Sequence, residues 1–272
     1  MRQSFIQRAS FSILLILALL MAFAGAPATR AAGGTAALVK DINTTPDLSV
    51  SSAPANFVVI GNVTYFAAYD DYNGYELWRS DGTTAGTRLV KDIAPGARDS
   101  VPLGFTVIGN MLFFIADDGS TGTELWKSDG TTAGTMLVKD IWPGAEGAEI
   151  SVIAAMNNTL YLGASDGVHG LELWKSDGTA GGTQMVVDSV AGAGGLNLQG
   201  LTLAGNMLFF AANDGTNGTE LWKSDGTAGN TKMVKNIVAG SGSSNPDNFA
   251  AVGNRLFFTA DDGVNGTELF VS

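Results

Sequence analysis

The stretch Thr123–Thr131, TELWKSDGT, decides the fold because it recurs. YELWRSDGT starts at Tyr75, LELWKSDGT at Leu171 and TELWKSDGT again at Thr219, while TELFVS runs from Thr267 to Ser272. The glutamates of these copies fall at Glu76, Glu124, Glu172, Glu220 and Glu268, a constant step of 48 residues. An unbroken step means equal loop lengths in every unit, as in an architecture of stacked repeats.

Working outward from Thr123, each unit resolves into four β-like runs. Phe105–Ile108 and Met111–Ala116 are nearly all apolar and flank Gly109-Asn110, a turn with Gly first, as a type II′ hairpin requires. Gly-Asn recurs at 61–62, 205–206 and 253–254, with Asn157-Asn158 as the exception. The third run is Thr123–Lys127, and after the turn chemistry of SDGTTAGT comes the fourth, Met136–Ile141. Two apolar runs fit inner strands covered on both faces, whereas the charged fourth run (Lys91, Asp92, Lys139, Asp140) fits a rim. Four antiparallel strands per 48 residues is the size of a propeller blade, and no 3.6-residue period follows the leader. The expected fold is all-β, a five-bladed β-propeller spanning residues 33–272. Its closure is read from strand order: a fourth-type run, Ala37–Ile42, precedes all others, and the last unit stops after its third run at Ser272. The N-terminal strand is thus expected to complete the last blade beside Thr267–Val271.

Residues 1–32 read as a secretory leader. Arg2 and Arg8 precede the apolar run Phe11–Phe23, and small residues place cleavage within 26–32. That run is short for a membrane span, and no second one follows, so export without a remaining span is expected. Beyond residue 32 there are 26 acidic against 12 basic residues, an excess of 14 negative charges that disfavours a nucleic-acid partner. The chain has no Cys and one His, His169, which removes disulfides, thiolate metal sites and His clusters.

The repeated ELWKSDGT units resemble the bacterial ELWxxDGT-repeat (hyalin-like repeat) family over residues 35–272. The resemblance implies an exported protein of propeller-like fold and no particular activity. The fifth copy departs from the pattern, with Phe270 in place of Trp and no DGT. Blade length and number are also similar to tachylectin-type five-bladed lectins, whose binding motifs have no counterpart here.

The recurring motifs have structural readings beside functional ones. Trp78, Trp126, Trp174 and Trp222 suit packing between blades, with sugar stacking as the competing role. Asp81, Asp129, Asp177 and Asp225 of the SDGT segments suit turn capping. The pattern Asp214-Gly215-x-x-Gly218-x-Glu220 separates two carboxylates by six residues, which leaves calcium open as a weakly supported ligand; no metal site is assigned. His169 stands where other copies have Ser120 or Thr216 and reads as a solvated substitution.

No GxSxG elbow and no phosphate-binding glycine loop is present, so the chain reads as a non-enzyme without a cofactor. The expected function is lectin-like binding of an extracellular glycan or cell-surface polymer. An adhesive scaffold and a glycosidase using inter-blade acids are the competing readings. The connections between blades vary most from copy to copy, and they supply the candidate ligand-binding residues Trp142, Glu146, Glu149, Asp99 and Asp247. Trp142 is the one Trp outside the repeated position and serves either as a sugar platform or as a filler between blades.

Overall fold

Short apolar runs punctuated by Gly, Asn and Asp turns can pair only with their sequence neighbours, and antiparallel meanders result. The computed structural model describes residues 36–44, 50–151 and 153–272, so the leader lies outside the described residues. Leu38–Ser272 form one compact unit. The first sheet contains β1 (Ala55–Ile60), β2 (Val63–Asp70), β3 (Gly74–Ser80) and β4 (Arg88–Lys91). The second contains β5 (Leu103–Ile108), β6 (Met111–Asp117), β7 (Thr123–Ser128) and β8 (Met136–Lys139). The third contains β9 (Ile153–Met156), β10 (Thr159–Ala164), β11 (Glu172–Ser176) and β12 (Gln184–Val187). The fourth contains β13 (Gln199–Ala204), β14 (Met207–Asn213), β15 (Thr219–Ser224) and β16 (Lys232–Lys235). The last has three strands, β17 (Asp247–Val252), β18 (Arg255–Asp261) and β19 (Thr267–Val271). Within each sheet the strands lie in chain order and pair antiparallel.

The turns obey their residue chemistry. Gly61, Gly109, Gly205 and Gly253 have φ near +60° (61°, 60°, 59° and 60°), while the Asn that follows each does not, the pattern of a type II′ hairpin. Asn157 and Asn158 both have positive φ, 50° and 62°, as type I′ demands. In the SDGT turns, Asp129 Oδ1 accepts the Thr131 N–H at 2.8 Å and the Thr131 hydroxyl at 2.7 Å, and Asp81, Asp177 and Asp225 repeat this arrangement. The carboxylate thereby replaces water at an otherwise unpaired amide.

Neighbouring sheets stack through repeated side chains. Leu77 and Val90 of the first sheet meet Leu112, Phe114 and Trp126 of the second, and Leu125 and Val138 then meet Leu160, Leu162 and Trp174 of the third. The pattern continues through Leu173, Leu208 and Phe210 to Leu221, Leu256 and Phe258. Trp126, Trp174 and Trp222 are buried at these junctions and Trp78 is buried with Phe66, Ala68 and Ile42 on the first sheet, so packing is their role. Lys91 and Lys139 hold their ammonium groups 5.7 and 5.5 Å from the ring centres of Trp126 and Trp174. The first strands adjoin one another in order, β1 to β5, β5 to β9, β9 to β13 and β13 to β17, as blades do about a propeller axis.

The expected ring closure is not made. Ala37–Ile42 forms no strand, and no neighbour pairs with the outer side of β19 among the described residues. Instead Leu38–Ile42 rests on the first sheet. Lys40 Nζ donates to the Thr87 carbonyl at 2.8 Å, Thr84 Oγ1 donates to the Val39 carbonyl, and Ile42 packs with Phe66, Ala68 and Trp78. The same contact ties β4 and β8 to the following sheets, from Lys91 Nζ to the Thr135 carbonyl and from Lys139 Nζ to the Thr183 carbonyl. The segment is therefore held at one end of the row, while β19 stands at the other.

A further regularity is a left-handed corner before each first strand, at Ala53, Val101, Glu149, Asn197 and Asn245, with φ of 38°, 47°, 50°, 50° and 45°. Asn tolerates this conformation, whereas a β-branched side chain is strained in it. Val101 is also largely exposed, so little packing is lost by changing it. Val101→Asn is expected to raise unfolding stability by about 1 kcal/mol, checked by urea denaturation. An unchanged or lower midpoint would show that the corner is unstrained.

Candidate functional site: the inter-sheet connections and the axial cavities

The connections between sheets hang on the repeated glutamate of the third strand. Glu76, Glu124, Glu172 and Glu220 have no solvent exposure. Glu76 accepts the Ile93 and Ala94 N–H groups at 3.0 and 3.1 Å, and Glu124 accepts those of Ile141 and Trp142 at the same distances. Glu172 takes the Ser189 and Val190 amides, and Glu220 those of Ile237 and Val238. These donors lie where the fourth strand ends and the chain turns toward the next sheet. In two copies a serine adds a second anchor: Ser100 Oγ and Ser244 Oγ donate to Glu76 and Glu220 at 2.6 Å. Ala148 and Leu196 occupy that position in the others, and Glu172 Oε2 has no hydrogen-bond partner among the described residues.

Burial pushes the Glu76, Glu124 and Glu172 carboxyls up to about 7, against the pull of their amide donors. The neighbouring Asp92, Asp140 and Asp188 add to the rise. In the SDGT turns the effect is opposite: hydrogen bonds from Thr83, Thr131 and Thr179 hold Asp81, Asp129 and Asp177 below the usual carboxylate range.

The candidate residues from the sequence occupy these connections without converging. Trp142 is half-buried, packs on the junction between the second and third sheets, and lays its indole where a Cβ on Gly167 would come within 2.5 Å of it. Arg98 covers Gly119 in the same way one junction earlier, and Val190 and Val238 lie beside Gly215 and Gly263. Trp142 therefore fills a gap between blades. Glu146 and Glu149 are exposed on the same connection, and Glu149 occupies the repeated left-handed corner. Asp99 Oδ1 accepts the Tyr75 N–H, and Asp247 Oδ1 accepts the Asn248 N–H. Asp214 and Glu220 are engaged separately, Asp214 by the Thr216 and Asn217 amides, and no three His, Asp or Glu side chains converge on a metal position among the described residues. His169 Nδ1 lies 2.8 Å from Asp166 Oδ2, which raises its pKa.

What sequence reading missed lies on the axis. Four of the five first strands, β1, β5, β13 and β17, carry a bulge, with left-handed Asn56, Gly104, Gly200 and Asn248 (φ 58°, 68°, 66° and 54°) at a step of 48 or its multiples. The residue after the bulge is Phe57, Phe105, Leu201 or Phe249, and Ile153 holds the same position in the regularly paired β9. A cavity of about 390 Å³ opens here, lined by Asn56, Phe57, Phe105, Thr106, Ser151 and Ile153 among others. Phe57 is 62% exposed. A second cavity, about 200 Å³, is lined by Gln199, Thr219, Asn245, Asp247 and Phe249 among others, so the predicted site residue Asp247 stands at a cavity wall.

No family model and no curated protein matches this chain. Among solved structures it is similar to puromycin hydrolase, at 15% identity and a TM-score of 0.51, covering 79% of this chain and 35% of that one. The S511A mutant of puromycin hydrolase complexed with PGG gives 14% identity and the same TM-score, over 80% of this chain and 35% of that one. The β-propeller domain of the Trilobed protease from Pyrococcus furiosus is 8% identical, with a TM-score of 0.48, over 80% and 68% of the two chains. The chain thus spans about a third of the length of the hydrolases it matches. At such identity the likeness concerns the fold alone.

Two outcomes follow from the glutamates. A carboxyl whose folded pKa is raised contributes stability below its unfolded value near 4.5 and loses it as pH climbs to about 7. The lowered Asp81, Asp129 and Asp177 act oppositely, losing their contribution as pH falls below 3.8. The melting temperature is therefore expected to peak between these limits and fall toward neutrality, with Glu124→Gln flattening the fall. A melting temperature that rises steadily from pH 4.5 to 7 would contradict this. Ala148→Ser should supply the hydroxyl that Ser100 provides and stabilise by about 1 kcal/mol, read by denaturant unfolding.

Proposed function

We propose that this chain is an exported, non-catalytic binding module that recognises an extracellular glycan or similar polymer in its axial cavities. The observation that carries the reading is the larger cavity, where the exposed Phe57 ring stands beside Asn56, Thr106 and Ser151. An aromatic face with amide and hydroxyl groups around it is what a pyranose needs, apolar C–H contact on one side and hydrogen-bond partners at its edge. The second cavity, with Gln199, Asn245 and Asp247 at its wall, supports binding of a repeating ligand, since two weak sites on one scaffold gain by avidity. The acidic surface accords with a neutral or hydroxyl-rich ligand over a polyanion.

Several features support the non-catalytic part of this reading. The exposed acids are spread over the chain, Asp99 and Glu146 with Glu149 on two different connections and Asp247 at the start of β17. Glycoside hydrolysis needs two carboxyl groups facing each other across one bond. The glutamates whose pKa values are raised are sealed from solvent and occupied by main-chain donors. The resemblance to ELWxxDGT-repeat proteins, and with it export, belongs to the same proposal.

A glycan array followed by titration calorimetry tests the reading. Phe57→Ala is expected to weaken binding of an array-selected glycan at least several-fold with the melting temperature unchanged, whereas Trp142→Ala should lower the melting temperature and leave affinity nearly intact. Silence across the array, or affinity lost only with Trp142→Ala, would defeat the axial site.

A further inference from the structure

The two axial cavities share positions of the repeat two units apart, and their walls differ in chemistry. Leu103, Ser151 and Ile153 of the larger cavity correspond to Gln199, Asp247 and Phe249 of the smaller one. A carboxylate, an amide and an aromatic ring thus stand where the larger cavity has a hydroxyl and two aliphatic groups. Asp247 is the one acid at its position in the five copies, which elsewhere carry Ala55, Leu103, Ser151 and Gln199.

The polar groups of the smaller cavity are available to a ligand. Asp247 is exposed, its Oδ1 accepts the Asn248 N–H at 2.7 Å, and its Oδ2 accepts no hydrogen bond among the described residues. No lysine or arginine pairs with it among those residues. The side chains of Gln199, Thr219 and Asn245 at the same wall make no hydrogen bond within the described structure. Phe249 is half-buried and meets Phe258 edge-on, the ring centres 6.3 Å apart. That contact fixes one wall of the cavity, while the polar side chains around it remain unengaged.

We infer that the smaller cavity takes a sugar unit bearing a free ammonium group, a hexosamine of the polymer assigned to the axial cavities, on which reading this inference rests. An ammonium presents three N–H donors and no acceptor. Asp247 Oδ2 supplies a charged acceptor, and the Gln199 and Asn245 amide oxygens and the Thr219 hydroxyl supply neutral ones. A hydrogen bond between ammonium and carboxylate is stronger than one between neutral groups. The amide N–H groups of Gln199 and Asn245 then suit ring hydroxyls, which a lysine side chain lacks, and Phe249 offers an apolar wall to the sugar's C–H groups. The volume of about 200 Å³ lies below the roughly 300 Å³ at which drug-sized pockets begin, so the cavity admits a single ring. The larger cavity has no charged residue at its wall, and an uncharged unit suits it.

Calorimetric titration with the β-1,4-linked tetramers of glucosamine and of N-acetylglucosamine, at a pH that keeps the free amines protonated, tests the assignment. The unaltered protein is expected to bind the free-amine tetramer about tenfold more tightly than the acetylated one, the gain of one charge-assisted bond. Asp247→Asn keeps an oxygen for the Asn248 N–H and should abolish this preference while leaving affinity for the acetylated tetramer nearly unchanged. Glu146→Gln removes an exposed acid outside both cavities and should preserve the preference. If Glu146→Gln reduces it as much as Asp247→Asn does, a general attraction of cations to an acidic surface is at work and the assignment is overturned. Tetralysine bound through Asp247 more tightly than either tetramer would make the ligand a basic peptide, which also overturns it. Equal affinity for the two tetramers, both weakened by Phe57→Ala, overturns the amine assignment while the axial reading stands. Failure to bind either tetramer overturns the assignment too, and the axial reading falls with it only if the glycan array is silent as well.

Discussion

A carboxylate removed from water costs several kcal/mol unless hydrogen-bond donors surround it, and this fold places one in each of its first four sheets. Glu76, Glu124, Glu172 and Glu220 sit in the third strand, where alternation alone would leave a charged side chain in water. Their donors are the amides at which the fourth strand stops, so the carboxylate both ends that strand and aims the chain at the next sheet. The connection is pinned at its root and again near its end, where the Ser100, Ala148 and Ser244 amides donate to the Tyr75, Thr123 and Thr219 carbonyls, and between these points its residues differ from copy to copy. That division explains why ELW repeats closely while the residues between 94 and 104 or between 142 and 152 do not.

The same constraint accounts for the junctions. Once the connection leaves the glutamate at a fixed point, the residue after it lies over the Asp-Gly loop of the next sheet, and something must fill the space there. Trp142 does so against Gly167, and Val190 and Val238 do so at the next two junctions. At the first junction Ala94 is too small and Arg98 reaches over Gly119 instead. A lone aromatic in a variable loop is thus a packing solution to a local volume, which a single sequence cannot distinguish from a ligand platform.

Much of the architecture was legible because it is written in local chemistry. Gly109-Asn110 specifies its own turn, Asn157-Asn158 specifies a different one, and the buried Trp positions follow from the 48-residue step. Closure was not legible, since whether Ala37–Ile42 reaches β19 depends on the summed angles of four junctions, to which no residue pattern is assigned. The glutamate latch was hidden by the period-2 pattern, although Ser100 and Ser244, each 24 residues after a latch glutamate, carried a signal. The axial site escaped for a related reason. Phe57 and Phe249 read as ordinary strand residues until the bulges at Asn56 and Asn248 turn the chain and leave an aromatic at a cavity wall.

The bulge and the latch act at opposite edges of the first, second and fourth sheets, and their separation bears on what the scaffold can do. The latch secures the outer half, where the fourth strand, the SDGT turn and the Lys-to-carbonyl contacts bind one sheet to the next. At the inner half, four of the five first strands give up regular pairing for a residue or more, as between Ala55 and Val58 or between Leu103 and Thr106. Surrendered ladder bonds leave main-chain groups and small cavities on the axis, where five sheets bring their variable residues close together. Gly200 shows how tight that approach is: its φ of 66° and the Phe249 ring, 2.7 Å from where a Cβ would stand, both exclude a side chain. A stack held by its rim can vary its axis without losing its fold. Glu76, Glu124 and Glu172, whose carboxyls burial pushes up, are groups the rim has locked away.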